Sequence, residues 1–383
     1  MRRVKAFDMP LFIFVLMMTG LGIICIYSSS YPKALISSEA NDNAFYFAGK
    51  QIIFSIVGCA LMLACMYLPL DKMRRLFWAL IGIGGFLLLF TLIICHAKHG
   101  HQSYIEIRGM QFMPSEFVKI CLVFTMATFL SRRPWKLRSW KGMWSGPYWF
   151  LIIPTLLIGM EQDLGTMLVM VVATACILLI AGAKFRFVGM PLAALGCVVV
   201  LLVASGHCPQ RVTDRVKAWL HTEDFSNPAS YHPRISQLAI GSGGVLGMGF
   251  CKSRMKWSYL PAAQNDYILA ITAEEWGFIW TLLLLFAPLI FIMYRGFSIA
   301  HRAPDEYTAL VAAGSTVMLI IPALINIAMV LNCLPSIGVN LPFISYGGSS
   351  ITSTLMLCGL LLNVSTLREE PQTARAAQSV PAT

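Results

Sequence analysis

Charge is scarce in this sequence. Only 12% of its 383 residues are Asp, Glu, Lys or Arg, about half of what a soluble domain carries. That scarcity excludes a chain built mainly of soluble domains. Acids are rarer than bases, 18 against 29. The net charge of +11 nevertheless does not describe a nucleic-acid footprint, because the basic residues come in short clusters between apolar runs: "MRRVK" at the start, "DKMRR" (71–75), "SRRPWKLRSWK" (131–141) and "KFR" (184–186). Loops of a polytopic membrane protein have that pattern, and a nucleic-acid partner is excluded on it. CxxC pairs are lacking too. The eleven cysteines are scattered, mostly within apolar runs, and read as small packing residues. Cys208 and Cys251 share one loop and could pair if that loop is extracytoplasmic; the sequence leaves this open. No small-x-small cleavage site follows the apolar run Leu11 to Ile26, so the run reads as a retained first span.

What the sequence has instead is apolar length. Apolar residues make up 57%, and the mean hydropathy is +0.70. The expected fold is an all-α polytopic membrane protein of about ten transmembrane helices. The candidate spans lie near 9–29, 46–68, 76–96, 115–131, 147–160, 164–183, 187–206, 276–295, 308–331 and 346–366; a span needs about 20 residues. The fifth is short, and "EQD" (161–163) separates it from the sixth, as in a tight hairpin whose tip lies at membrane depth. With the N-terminus inside, the inner segments collect most of the Lys and Arg, as cytoplasmic loops do. Ten spans return the C-terminus to the cytoplasm. Residues 1–366 form the membrane domain, and the polar tail 367–383 is expected to be disordered. One long loop, about 207–275, lies outside, and loops of that length are usually functional. Its "AIGSGGVLGMGF" (239–250) lacks the strand and the Gly-Lys-Ser/Thr of a nucleotide loop and reads as flexible backbone at a membrane surface.

Polar residues in four places break the apolar rule for spans. In "MPSEFVKI" (113–120), Glu116 and Lys119 stand three apart on one helix face and can pair. Asp163 sits at the hairpin tip. "YLPAAQNDYILAITAEEWGF" (259–278) holds Asp266, Glu274 and Glu275, and "LPFISYGGSS" (341–350) opens the last span. All four fall at or near the outer face, which predicts one polar cavity open to the outside. Each also has a plainer reading: a structural ion pair for Glu116 and Lys119, close helix packing for "SYGGSS", a solvated cluster for "HAKHGH" (96–101). Glu274 and Glu275 read as acids at the start of a span helix, where exposed amides favour them. The outer loop also carries Arg211, Arg215, Lys217, Arg234, Lys252, Arg254 and Lys256, cations suited to phosphate; lipid headgroups would meet some of them. One acid among cations suits a lipid-diphosphate sugar donor. The leaving diphosphate needs cations rather than an acid, and the sugar hydroxyl that attacks needs a base. Asp266 is the expected base.

These stretches resemble the SEDS proteins (shape, elongation, division, sporulation), membrane peptidoglycan polymerases. The resemblance covers nearly all of 8–366 and rests on "IYSSS" (26–30), "MPSEFVKI", "DLGT", "AIGSGG", "YLPAAQNDYILAITAEEWGF" and "LPFISYGGSS". "YFAGKQ" (46–51), "SRMKWSYLP" (253–261), "HRAPDEYTALVAAG" (301–314) and "INIAMVLNCLP" (325–335) look more like the division type than the elongation type. The resemblance implies polymerisation of lipid II into glycan strands on the outer face of the cytoplasmic membrane, by an inverting glycosyltransferase working at the septum. Asp266 matches the family's essential acid. Glu116, Lys119, Asp163, Arg211 and Arg215 match its polar positions, and Lys256, Ser345 and Gly347 are further expected substrate contacts. A divalent cation, Mg or Mn, is the cofactor left open. The implied partners are undecaprenyl-linked glycan, a class B penicillin-binding protein, other division proteins and membrane lipids. An elongation-type polymerase, a lipid II flippase and a division scaffold stay open as alternatives. The sequence departs from the family at Met113, at Glu161 and Gln162, where Gln-Pro is usual, and in "GHQSYIEIRG" (100–109). Those departures bear on recognition of substrate or partner rather than on Asp266.

Overall fold

The structure, a computed structural model, describes residues 7–36, 43–99, 104–107, 110–205, 210–222, 228–257 and 264–367. Helices α1 (Met9–Ile36) and α2 (Tyr46–Met66) pack on each other. A short α3 (Leu70–Arg75) leads into α4 (Phe77–His99). Next come α5 (Pro114–Arg132), the short α6 (Trp140–Trp144), α7 (Pro147–Met160), α8 (Leu164–Ile180) and α9 (Phe185–Ala204). The long loop contributes α10 (Gln210–Leu220) and α11 (Tyr231–Gly243). Helix α12 (Ile268–Thr281) runs through a π-helical turn into α13 (Ala287–His301), and α14 (Glu306–Val330) and α15 (Gly348–Ser365) follow. Proline opens α5 and α7 at a first-turn position, where its missing N–H costs nothing.

Among the described residues, seven helical segments are long and apolar enough to cross a membrane, and three more apolar helices, Phe77–Ile93, Pro147–Met160 and Leu164–Ile180, are shorter. The chain is mostly helical, as expected, with one small strand pair added: β1 (Ile105–Ile107) and β2 (Met110–Phe112) run antiparallel, with Ile105 opposite Phe112. Burial ranks the spans. Of the most apolar window of α15, 94% is buried, and of α14, 83%, against 12% for α9. The centre of the bundle is therefore α14 and α15, with α5 beside them, and α9 lies at its rim. Close approach of α2 and α15 depends on small residues: Gly58 faces Leu355, and Gly359 faces the Met62 carbonyl with no room for a Cβ.

The described parts of the long loop are folded and docked. Trp219 Nε1 of α10 donates to the Asn332 carbonyl at 2.9 Å, and Ser236 Oγ of α11 donates to the Val330 carbonyl at 3.0 Å. Both anchors sit at the C-terminal end of α14. Residues 239–243 end α11, and 244–250 follow as a segment with Val245, Leu246 and Phe250 exposed. Helix α12 breaks at Gly277, whose φ is +76°. The break frees backbone groups that must be paired at membrane depth. The 244–249 segment pairs them: Met248 and Gly249 N–H donate to the Glu274 and Glu275 carbonyls at 3.0 and 2.9 Å, and Phe278 N–H donates to the Gly244 carbonyl at 3.0 Å. A Cβ on Gly247 (φ +81°) would lie 2.5 Å from the Gly277 nitrogen, so both glycines are required.

Glu274 and Glu275 do not open a helix either. They lie in the second turn of α12, just before its break, and both are buried. Glu274 accepts from Ser253 Oγ at 2.5 Å and from the Arg254 N–H at 2.9 Å. Glu275 accepts from Lys256 Nζ at 2.7 Å and from Ser28 Oγ of α1 at 2.5 Å. The two acids thus clasp the 253–257 turn onto α12 and α1.

Candidate active site

Asp266 lies in the turn 264–267 that enters α12. Its position is fixed through main chain. Asn326 Nδ2 of α14 donates to the Asp266 carbonyl at 2.8 Å and to the Val339 carbonyl at 2.5 Å. Ser345 Oγ donates to the Asn265 carbonyl at 2.7 Å and accepts from the Leu341 N–H at 2.8 Å, while Tyr346 N–H donates to the Gln264 carbonyl at 2.9 Å. The segment 338–346 therefore holds the Asp266 turn in place. The Asp266 carboxylate itself lies against Gly338, whose φ is +73° and whose Cβ, if present, would be 3.2 Å from Oδ2. Burial chiefly, and then the charge of Asp163, push the Asp266 carboxyl up to about 6, while Arg215 of α10 pulls it back. Asp163, Asp266 and Arg215 thus share one electrostatic neighbourhood, contributed by the α7–α8 tip, the α12 entry and the outer loop.

Beneath it sits the Glu116–Lys119 pair of α5, with Lys119 Nζ donating to Glu116 Oε1 at 2.6 Å. Ser353 Oγ of α15 donates to Glu116 Oε2 at 2.7 Å. The pair lines a small cavity of about 30 Å³ together with Met113, Thr166, Gly338, Asn340 and Ser353. Gly338 touches both this cavity and Asp266, which joins the two. The cavity has room for about one water, so a sugar would bind outside it. Asp163 caps α8, its Oδ1 accepting from the Thr166 N–H at 3.0 Å. Its carboxyl is raised by burial, against the lowering pull of the Thr166 hydrogen bonds and then of the Lys119 charge. Next to it, burial and the Asp163 charge push the Glu161 carboxyl up to about 8.

Three buried acceptor oxygens around Asp266, Asp163 Oδ2, Asn265 Oδ1 and Asn326 Oδ1, and the ring nitrogen His232 Nδ1 have no hydrogen-bond partner among the described residues. His232 of α11 stacks on Tyr267 with ring centroids 5.8 Å apart. Buried polar atoms are costly unless paired. A set rich in acceptors suits a ligand rich in O–H and N–H donors, as a sugar is.

Asp266, Asp163, Glu116, Lys119 and Arg215 are thus brought into one region. Arg211 is on α10, but its side chain lies outside the described residues. Lys256 is corrected: its side chain is wholly buried, and its ammonium is committed to Glu275 and Ser28. Ser345 Oγ holds the Asn265 carbonyl, and Gly347 N–H donates to the Gln51 side chain, Oε1, at 3.2 Å. Asn326, Ser353, His232 and Gly338 went unremarked in the sequence. Asn326 alone carried a signal, an amide inside an apolar run. Among the described residues no group of three His, Cys, Asp or Glu side chains could hold a metal ion. The side chains of "HAKHGH", and Cys208, lie outside the described residues.

Residues 9–370 match the family of FtsW, RodA and SpoVE, described as cell cycle protein. Stage V sporulation protein E of Bacillus subtilis is 35% identical over 365 residues, 94% of this chain and 96% of that one. A probable peptidoglycan glycosyltransferase FtsW of Trichlorobacter lovleyi is 31% identical, covering 98% of each. Among solved structures, a chain described under "Structural coordination of polymerization and crosslinking by a peptidoglycan synthase complex" superposes with a TM-score of 0.75 at 25% identity, over 94% of this chain and 98% of that one. Rod shape determining protein RodA of Thermus thermophilus shares the fold, with a TM-score of 0.68 at 23% identity over 96% and 99%.

Proposed function

Because the chain belongs to the FtsW, RodA and SpoVE family of cell cycle proteins, we infer that it is a peptidoglycan glycosyltransferase that polymerises lipid II on the outer face of the cytoplasmic membrane. The seven long and three shorter apolar helices are read as ten spans with both termini in the cytoplasm. Asp266 is the general base. It takes the proton of the 4-hydroxyl of one lipid-linked GlcNAc as that oxygen attacks the anomeric carbon of a lipid-linked MurNAc. The C1–O bond to the diphosphate breaks, undecaprenyl diphosphate leaves, and the anomeric configuration inverts. Arg215 and Arg211 of α10 receive the developing diphosphate charge. The acceptor atoms around Asp266 hold sugar hydroxyls and the acetamido N–H. A class B penicillin-binding protein is the proposed partner, and the septum the proposed place, in line with FtsW-named relatives.

The observation that carries this reading is one carboxylate, raised to about 6 and fixed by three main-chain hydrogen bonds to its turn, beside Arg215. A lipid II flippase is the second reading, drawing on the buried Glu116–Lys119 pair and on Asp163. Purified chain, reconstituted with its transpeptidase partner and lipid II, is expected to yield glycan strands resolved by length on a gel. Lipid II translocation into vesicles with no polymer would instead support the transporter.

A further inference from the structure

A second site, between α4, α5 and α7, shares no lining residue with the cavity beneath Asp266. The three helices leave a groove of about 520 Å³, within the size range of specific small-molecule sites. Its walls are apolar, with Ile81 along one side and Leu88, Val118 and Leu157 at the deep end. Among the described residues its only charged lining residues are Arg132 and Arg133, where α5 ends. Trp78 and Trp149 flank the same end, both exposed, and exposed Trp marks the headgroup level of a bilayer. Phe77 to Leu88 along α4 spans about 16 Å at 1.5 Å per residue, roughly half of a 30 Å hydrocarbon core. The groove is therefore one leaflet deep, with two guanidinium groups at headgroup height. Arg132 Nη2 donates to the Arg74 carbonyl at 3.2 Å, and Arg133 lies over the Phe129 ring at 5.5 Å. Both are thereby oriented, and neither makes an ion pair with a carboxylate among the described residues.

We propose that this groove is a binding site for an anionic phospholipid of the leaflet on the basic side of the protein, with an acyl chain between α4, α5 and α7 and its phosphate on Arg132 and Arg133. A partner transmembrane helix would fill the apolar part equally well, but would leave two cations unmatched. A phosphodiester matches them, and basic pockets between spans on that side suit such headgroups. The site does not depend on the glycosyltransferase reading.

The test is native mass spectrometry of the full chain titrated with dioleoyl phosphatidylglycerol or dioleoyl phosphatidylcholine. The anionic lipid is expected to bind at a roughly tenfold lower concentration. Arg132→Gln with Arg133→Gln is expected to abolish that preference while leaving phosphatidylcholine binding unchanged. Gly85→Leu fills the groove from a position where a side chain meets open space, and is expected to weaken both lipids while Arg132 and Arg133 remain. Asp266→Asn is expected to bind as the parent does, which separates this site from the catalytic one. Thermal unfolding in lipid-free detergent checks that each variant is folded. A double Gln variant that keeps the preference, a Gly85→Leu chain that binds both lipids as the parent does, or binding of undecaprenyl phosphate in place of phosphatidylglycerol would each overturn the proposal.

Discussion

Asp266→Asn is expected to lower glycan polymerisation by roughly 10²- to 10⁴-fold, the usual contribution of a positioned general base. The substitution is clean because the turn is held through backbone. Asn326 bonds the Asp266 carbonyl, Ser345 the Asn265 carbonyl and Tyr346 the Gln264 carbonyl. An Asn side chain disturbs none of these, so the thermal unfolding temperature should stay near that of the parent. Strand formation from lipid II, measured alongside unfolding, checks both halves. An inactive variant that also melts early would indicate a structural role for the carboxylate.

The second large effect concerns stability. Lys256 and Glu275 pair at 2.7 Å with almost no exposure of either side chain. Removing one partner of such a pair leaves an uncompensated buried charge, which costs about 3–5 kcal/mol. Lys256→Met and Glu275→Gln are each expected to destabilise the chain by that order. Together they remove both charges, and much of the loss should return, because an apolar and neutral pair escapes the desolvation penalty. Ser28 Oγ keeps an acceptor in the Gln amide oxygen, which helps the double variant. Thermal unfolding of the three chains in one detergent gives the comparison. Single variants as stable as the parent would mean that the clasp on α1 and α12 contributes nothing.

The apolar runs made most helices legible, because a span must satisfy its own backbone and so writes its length into the sequence. Asp266 stands out in the sequence for a similar reason: an acid beside a span is costly to desolvate. Lys256 was misread because a cation in an outer loop resembles a solvated one until its partner is known, and its partners Glu275 and Ser28 are distant in sequence. The same holds for Glu274 and Glu275, whose place in the second turn of α12 depends on where the helix starts, at Ile268. The break at Gly277 was not legible at all. A glycine in a span is usually a packing residue, and its φ of +76° is intelligible only once Gly247 and its neighbours supply the missing backbone partners. Asn326 could have been found, since an amide inside "INIAMV" is costly without a task.

The pH dependence of single-turnover polymerisation tests the role of Asp266 most directly. A base works only when deprotonated. Burial and the charge of Asp163 push its carboxyl up to about 6, so the rate should be level above that value and fall as pH drops through it. Asp163→Asn removes a neighbouring negative charge and should move the inflection to lower pH. An inflection near 6 that shifts downward in Asp163→Asn is the predicted result. A rate that stays flat from about pH 5 to 8, or an Asp266→Asn chain that polymerises as fast as the parent across that range, would contradict it.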